Sequence, residues 1–332
     1  MNDRATFLSK ANPKLLLTLS RVLAAARPAI LAFLIAQGSS LAGENTEIPI
    51  SFCNVLFVGN LCAAIAVCLG FNFKQIIREL KTLKSKTLLQ LLLNGCLAAL
   101  LSSLIFLGLE YTSVTNSILI SRLGPVLYAV VGTLLLGRKI SKFELVGFSL
   151  IVVGIGAITL RENNFQLNRG DALILASAVV YACTSLIGKA ALTKKCSLQV
   201  VVFTRNFISA IVFFIIAVIL FGFSHFGDVF SGGLWVVMSI YGLIMIVLAE
   251  LFWYSGLKQL NSKTVGAITS LSPIFGIGFA YFINDESPSK VQFSALVVIL
   301  FGLFISKLGK KDSDHEDDLE KMSDMESCAS GN

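Results

Sequence analysis

Arg122 is the costliest residue in this chain, because it stands in an unbroken apolar run about 4 Å from the run's middle at roughly 1.5 Å per residue. An arginine at that depth costs about 2.5–3.5 kcal/mol to insert, so its guanidinium must meet a partner or water. Two chemistries suit it: a bidentate clamp on an anionic group such as a carboxylate, or a structural ion pair or side chain reaching for the surface. Glu250 lies about 6 Å to one side of its own run's centre, and Arg205, on a run of opposite direction, falls at a similar depth. Depth therefore favours a Glu250–Arg205 pair over Glu250–Arg122. The alternatives for Glu250 are a carboxylate that loads and releases a proton, its charged form disfavoured by desolvation, or direct contact with a solute. Pro125 and Pro273 stand near the middle of their runs, flanked by Ser121, Arg122, Ser270 and Ser272. A proline there leaves a carbonyl unpaired and bends the helix, which either opens backbone towards a cavity or only kinks the packing. Tyr128, Tyr181, Trp253 and Tyr254 suit a planar or apolar solute, and equally helix packing or an interfacial belt.

Other chemistries lack their parts. His225 and His315 both fall outside the apolar runs, so neither a histidine metal cluster nor a Ser-His-Asp arrangement has its base. Five of the seven cysteines (Cys53, Cys62, Cys68, Cys96 and Cys183) lie inside apolar runs and no CxxC spacing occurs, so they read as small apolar residues. Gly154-Ile155-Gly156 and Gly276-Ile277-Gly278 have no lysine after them and read as packing contacts, not phosphate loops. No metal, cofactor or catalytic residue is expected, and the chain does not read as an enzyme.

The elements that must hold these residues are membrane helices. With 55% hydrophobic residues, 14% charged residues and a mean hydropathy of +0.80, the chain has too little polar surface for a water-soluble globule of 332 residues. Spans are expected near 28–43, 50–71, 88–108, 113–136, 142–160, 171–191, 199–222, 235–257, 264–283 and 291–306. The net charge of +7 sits in short loops between them, which membrane orientation explains without a nucleic-acid partner. The N-terminus, the 72–87 loop, the Arg138-Lys139-Lys142 turn, Lys189-Lys194-Lys195, Lys258-Lys263 and Lys307-Lys310-Lys311 fall on one side, and Glu44, Glu47, Glu110, Glu162, Asp228, Asp285 and Glu286 on the other, where Arg161, Arg169 and Lys290 are the basic exceptions. Both termini are therefore expected in the cytoplasm, with the plasma (inner) membrane as the expected location. The opening basic segment and apolar run also describe a cleavable signal peptide, but its removal leaves the first half one helix short.

An internal repeat organises the spans. Shifting the chain 148 positions places Pro125 on Pro273, Gly108 on Gly256, Leu123 on Leu271, Ser141 on Ser289 and Gly154 on Gly302. Charge changes sign between the copies: Arg138-Lys139 falls on Glu286-Ser287 and Glu110 on Lys258. If basic residues mark one membrane face, the copies lie upside down relative to each other. The expected organisation is a basic N-terminus over 1–27, a five-helix repeat over 28–160, a linker over 161–170, a second repeat over 171–306 and a disordered acidic tail over 307–332. The fold class is all-α, with ten transmembrane helices as two inverted repeats.

The stretches FLGLEYTSVTNSILISRLGPVLYAVVGTLLLGRKISKFELVGFSLIVVGIG and WYSGLKQLNSKTVGAITSLSPIFGIGFAYFINDESPSKVQFSALVVILFGL resemble the fourth and fifth spans of an EamA-type domain of the drug/metabolite transporter superfamily. By that resemblance Pro125 and Pro273 match the mid-span prolines, Glu286 an acidic residue at the end of the ninth span, and Arg205 an arginine near the start of the seventh. The chain departs from the pattern at Arg138, where an acid is usual, at Gly59-Asn60, where an arginine is usual, and at Glu250, where an aromatic is usual. The resemblance implies ten helices around a central cavity and, by itself alone, outward transport. The function expected is secondary transport of a small organic metabolite, such as an amino acid, around a cavity bordered by the fourth and ninth spans. A nucleotide-sugar or sugar-phosphate exchanger and a non-transporting scaffold or receptor are the alternatives. The partners are a small solute and the lipid bilayer, with proton or counter-substrate coupling and a homodimer left open.

Overall fold

A computed structural model describes residues 12–37, 52–135, 140–161, 167–193, 196–223, 232–253, 260 and 262–308. The first helix, α1 (Pro13–Ala36), begins fifteen residues before the expected span. Its start is locally encoded: the Asn12 side chain accepts from the Lys14 N–H at 3.0 Å, and Pro13 stands in the first turn, where a missing N–H costs nothing. Arg21 and Arg27 are thus inside a helix of the bundle.

α2 (Phe52–Gly70) is followed after a 100° bend by α3 (Phe73–Thr82). Most of the connection expected over 72–87 is therefore helical. Asn72 caps α3 through the Lys74 N–H at 3.1 Å, Ile76 is fully buried, and Lys74, Arg78 and Lys81 are exposed. That division of faces suits a helix lying along the membrane surface. Glu79 on α3 accepts from the Ser197 N–H at 2.5 Å, just before the ninth helix begins. Burial, with the Glu79 charge adding to it, pushes the neighbouring Cys196 thiol up to about 11.

The remaining helices are α4 (Ser85–Leu109), α5 (Val114–Ile120), α6 (Leu123–Leu135), α7 (Lys142–Gly156), α8 (Arg169–Thr193), α9 (Leu198–Phe221), α10 (Gly232–Tyr241), α11 (Ser262–Ser270), α12 (Ser272–Asn284) and α13 (Lys290–Leu308). α7 and α10 each run on into a π-helical segment, Ala157–Arg161 and Gly242–Leu248. All regular structure among the described residues is helical. Among the described residues eight helices are long and apolar enough to cross a membrane, with a ninth if the bent pair α2–α3 is one span, and Ile268–Asn284 forms a shorter apolar helix. Large apolar side chains such as Leu69, Ile219 and Phe282 point outward, as a lipid-facing surface requires.

The two copies of the repeat pack through each other. α13 lies along α7, α8 along α4 and α6, α9 along α2 and α4, and α12 along α1. The α7–α13 crossing is antiparallel, with Gly147 on the Gly302 carbonyl and Gly154 on Ile299 and Ala295. α2 and α9 also cross antiparallel: Phe57 meets Phe214 at 5.7 Å, while Phe73, beyond the far end of α2, meets Phe203 at 6.2 Å. Between these pairs a core of Ala29, Ile118, Ile120, Ile151, Ile174 and Ile299 joins helices of both copies.

Candidate functional site

Two helices break at equivalent places in the repeat. Between α5 and α6, Pro125 has no N–H for the Ser121 carbonyl, which instead accepts from Gly124 N–H at 3.1 Å in a tighter turn. Between α11 and α12, Leu271 N–H reaches the Ile268 carbonyl at 3.2 Å and Pro273 falls in the first turn of the new helix. Pro125 is exposed and Pro273 buried. At the first break Ser121 Oγ donates back to the Ser117 carbonyl, and Arg122 Nε donates to the Ile118 carbonyl at 3.2 Å. Tyr181 of α8 lies against Gly124 and is close enough for its phenol to interact electrostatically with Arg122. At the second break the counterpart of Arg122 is Ser270, and Lys307 Nζ on α13 donates to its hydroxyl. The second copy thus borrows from another helix the cation that the first carries itself.

The other candidates are dispersed. Among the described residues no hydrogen bond or ion pair joins Glu250 to Arg205. Glu250 faces a small niche between α2 and α9 lined by Val67, Gln199, Val202 and Val247, and its Oε2 is buried without a hydrogen-bond partner. Arg205 is half-buried on α9, and Tyr128 is half-buried on α6. Trp253 lies beneath the Arg21 guanidinium, 3.8 Å from its ring centre. Arg138 and Tyr254 fall outside the described residues.

Sequence reasoning missed the face of α1 that meets α10. Two side chains of α1 add hydrogen bonds to carbonyls within and just after the π-helical segment that follows α10. Arg27 Nε supplies one to Met245 O at 2.7 Å, and Ser20 Oγ supplies another to Ala249 O at 2.7 Å. The signal available was the Asn12-Pro13 start, which carries the helix through both arginines. Replacing Arg27 with leucine removes this charge-assisted hydrogen bond, with an expected loss of about 1.5–3 kcal/mol. The thermal midpoint of the detergent-purified variant should fall, and an unchanged midpoint rejects this role.

At the opposite end of the bundle a polar network ties the copies together. Glu286, after α12, accepts through Oε2 from Val114 N–H at 2.8 Å and through Oε1 from Thr115 N–H at 2.9 Å. It caps the first turn of α5, which has no acidic residue of its own. Gln292 of α13 donates to Asn116 Oδ1 at 2.6 Å and to Ser113 Oγ at 3.1 Å. Thr112 and Asn116 reach Asp171 of α8, which is fully buried. Beside the network is an open cavity of about 430 Å³ lined by Glu110, Tyr111, Thr112, Ser113, Asn168 and Gln292.

Residues 29–160 and 168–308 each match the model of the EamA-like transporter family. An uncharacterized transporter of Synechocystis sp. is 34% identical over 315 residues, covering 91% of this chain and 88% of its own. The uncharacterized transporter YetK of Bacillus subtilis is 28% identical, covering 70% of this chain and 72% of its own. The riboflavin transporter ImpX of Fusobacterium nucleatum is 26% identical, covering 76% and 88%. A solved structure at 17% identity superposes with a TM-score of 0.54 over 87% of this chain and 98% of that one, a likeness of fold alone. Two copies of a helical transporter domain, packed through each other in apolar spans with polar groups at their breaks, leave one assignment: the chain is a multi-pass integral membrane protein of the EamA-like transporter family.

Proposed function

We infer that the chain has ten spans in two inverted five-helix halves and carries a small organic metabolite, such as an amino acid or related compound, outward by alternating access. The observation that carries this reading is an asymmetry between equivalent ends. At the Glu286 end, α5 packs against α12 and α13 and is capped across the halves. One repeat on, no comparable packing joins α11 to α6 or α7 among the described residues. A bundle tied at one end and parted at the other is one half of a rocking cycle.

Inversion is supported by the antiparallel crossings of α7 with α13 and of α2 with α9, since each pair occupies equivalent positions in the two halves. A two-fold axis relating such helices runs in the membrane plane. The cationic residues of α3 and Lys307 lie at the parted end, which the orientation of basic residues assigns to the cytoplasm, with both termini on that side of the plasma membrane. On this reading the Glu286 end is the outer end.

The test is counterflow in proteoliposomes, with labelled amino acids and riboflavin taken up against unlabelled solute, with and without a pH gradient. Trans-acceleration of at least one solute is expected, and a response to the pH gradient identifies proton coupling. Correctly inserted protein that exchanges none of them rejects the assignment of substrate class.

A further inference from the structure

We propose that the site takes an organic carboxylate, held by the Arg122 guanidinium at the break of the fourth span; this rests on the transporter reading and names the class of its substrate. Arg122 is anchored through one nitrogen only. Its Nε donates to the Ile118 carbonyl at 3.2 Å, which fixes the plane of the group. Nη1 and Nη2 reach no protein acceptor among the described residues, and neither is sealed from solvent. A guanidinium tied at Nε keeps its paired Nη edge free, and that edge matches the two oxygens of a carboxylate.

The carboxylates of the described helices and their ends have other positions. Glu79 accepts from Ser197 N–H, Glu144 closes a capping box with Ser141, Asp171 accepts from Thr112, Glu286 caps α5, and Glu110 and Asp285 lie at that same Glu286 end. Glu250 faces the niche at Val67 and Val202. The positive charge of Arg122 is therefore unneutralised by the described residues at a depth where an unpaired cation is expensive, and an anionic solute supplies the missing charge.

Two further observations set the kind of anion. The counterpart position in the second half, Ser270, is met by Lys307, so each half brings one cation to its break and an anion passing between them is never without one. Tyr181 beside Gly124 offers a ring face to the remainder of the molecule, which suits an apolar or planar group.

The experiment uses three carboxylates, acetate, benzoate and indole-3-acetate, and their three primary amides, in counterflow with the full chain in proteoliposomes. At least one carboxylate should exchange, and its amide at least tenfold more slowly. Arg122→Gln should lower carboxylate exchange at least tenfold, and Arg122→Lys should retain part of it, in variants that keep the wild-type thermal midpoint. Amides exchanging as fast as carboxylates, or Arg122→Gln exchanging at the wild-type rate, overturns the anion site and leaves the transporter reading standing. Exchange of neither set, and of no amino acid, by inserted protein that does move riboflavin also overturns the site, while inactivity towards every solute counts against transport itself and against the site with it. Binding gives a second readout: benzoate, and not benzamide, should raise the thermal midpoint of wild type but not of Arg122→Gln.

Discussion

Glu286→Gln should unlatch the end of the bundle at which α5 begins and slow transport by at least tenfold. The carboxylate accepts from two adjacent backbone N–H groups, Val114 at 2.8 Å and Thr115 at 2.9 Å, one oxygen to each. Glutamine has a single carbonyl oxygen, and its NH2 group cannot accept, so one N–H at the start of α5 loses its partner. The charge that favours a helix N-terminus is lost as well. Charge-assisted hydrogen bonds contribute about 1.5–3 kcal/mol each, so losing one shifts the closed-to-open ratio by roughly 10- to 100-fold. Thr115 offers a reporter, because it is fully buried beneath the latch and its side chain makes no part of it. In a background without other reactive cysteines, Thr115→Cys should react slowly with a membrane-impermeant thiol reagent, and at least tenfold faster once Glu286→Gln is added. Equal labelling in the two backgrounds shows that Glu286 does not hold this end shut. Glu286→Asp is a stricter test, since the shorter side chain keeps the charge but cannot span both donors.

The helical membrane fold was legible because apolar runs and a repeat are local and periodic signals. Pro125 and Pro273 stand out in such runs, and the helix breaks fall beside them because a ring nitrogen cannot donate wherever it is placed. The cross-copy contacts were not legible, and the reason is separation in sequence. Glu286 lies about 170 residues from the N–H groups it caps, and no local pattern joins an acid at the end of one helix to the first turn of another. Its sign therefore read as orientation alone. The depth argument that set Glu250 against Arg205 used only distance along each helix axis. It carried no information about rotation, and the helix faces turn Glu250 towards Val67 and Val202. Arg21 and Arg27 were read as a basic leader because charge was weighed over the Asn12-Pro13 start. Their partners, Trp253 and the Met245 carbonyl, belong to the second copy.

Gly147→Ala and Gly302→Ala should each cost the folded protein about 1–3 kcal/mol, more than any single surface change, because neither clash can be relieved by a side chain. A Cβ on Gly147 would lie 2.5 Å from the Gly302 carbonyl oxygen, and a Cβ on Gly302 would lie 2.7 Å from that of Gly147. Backbone must move, and the two helices must part. Along α13, Ala295 and Gly302 stand where Gly147 and Gly154 stand along α7 after the 148-residue shift, so the crossing is nearly self-complementary. Two consequences follow from that symmetry. The single substitutions should lower the thermal midpoint by similar amounts, and the double substitution should cost less than their sum, because one separation of the helices relieves both clashes. Gly278→Ala is the control: nothing lies within 4 Å of its would-be Cβ, and alanine favours a helix by up to about 1 kcal/mol over glycine. The transport readout then separates structure from mechanism. If the α7–α13 crossing is a fixed pivot, flux per folded molecule stays near wild type while the folded fraction falls, whereas a crossing that slides during the cycle would lose flux before it lost stability.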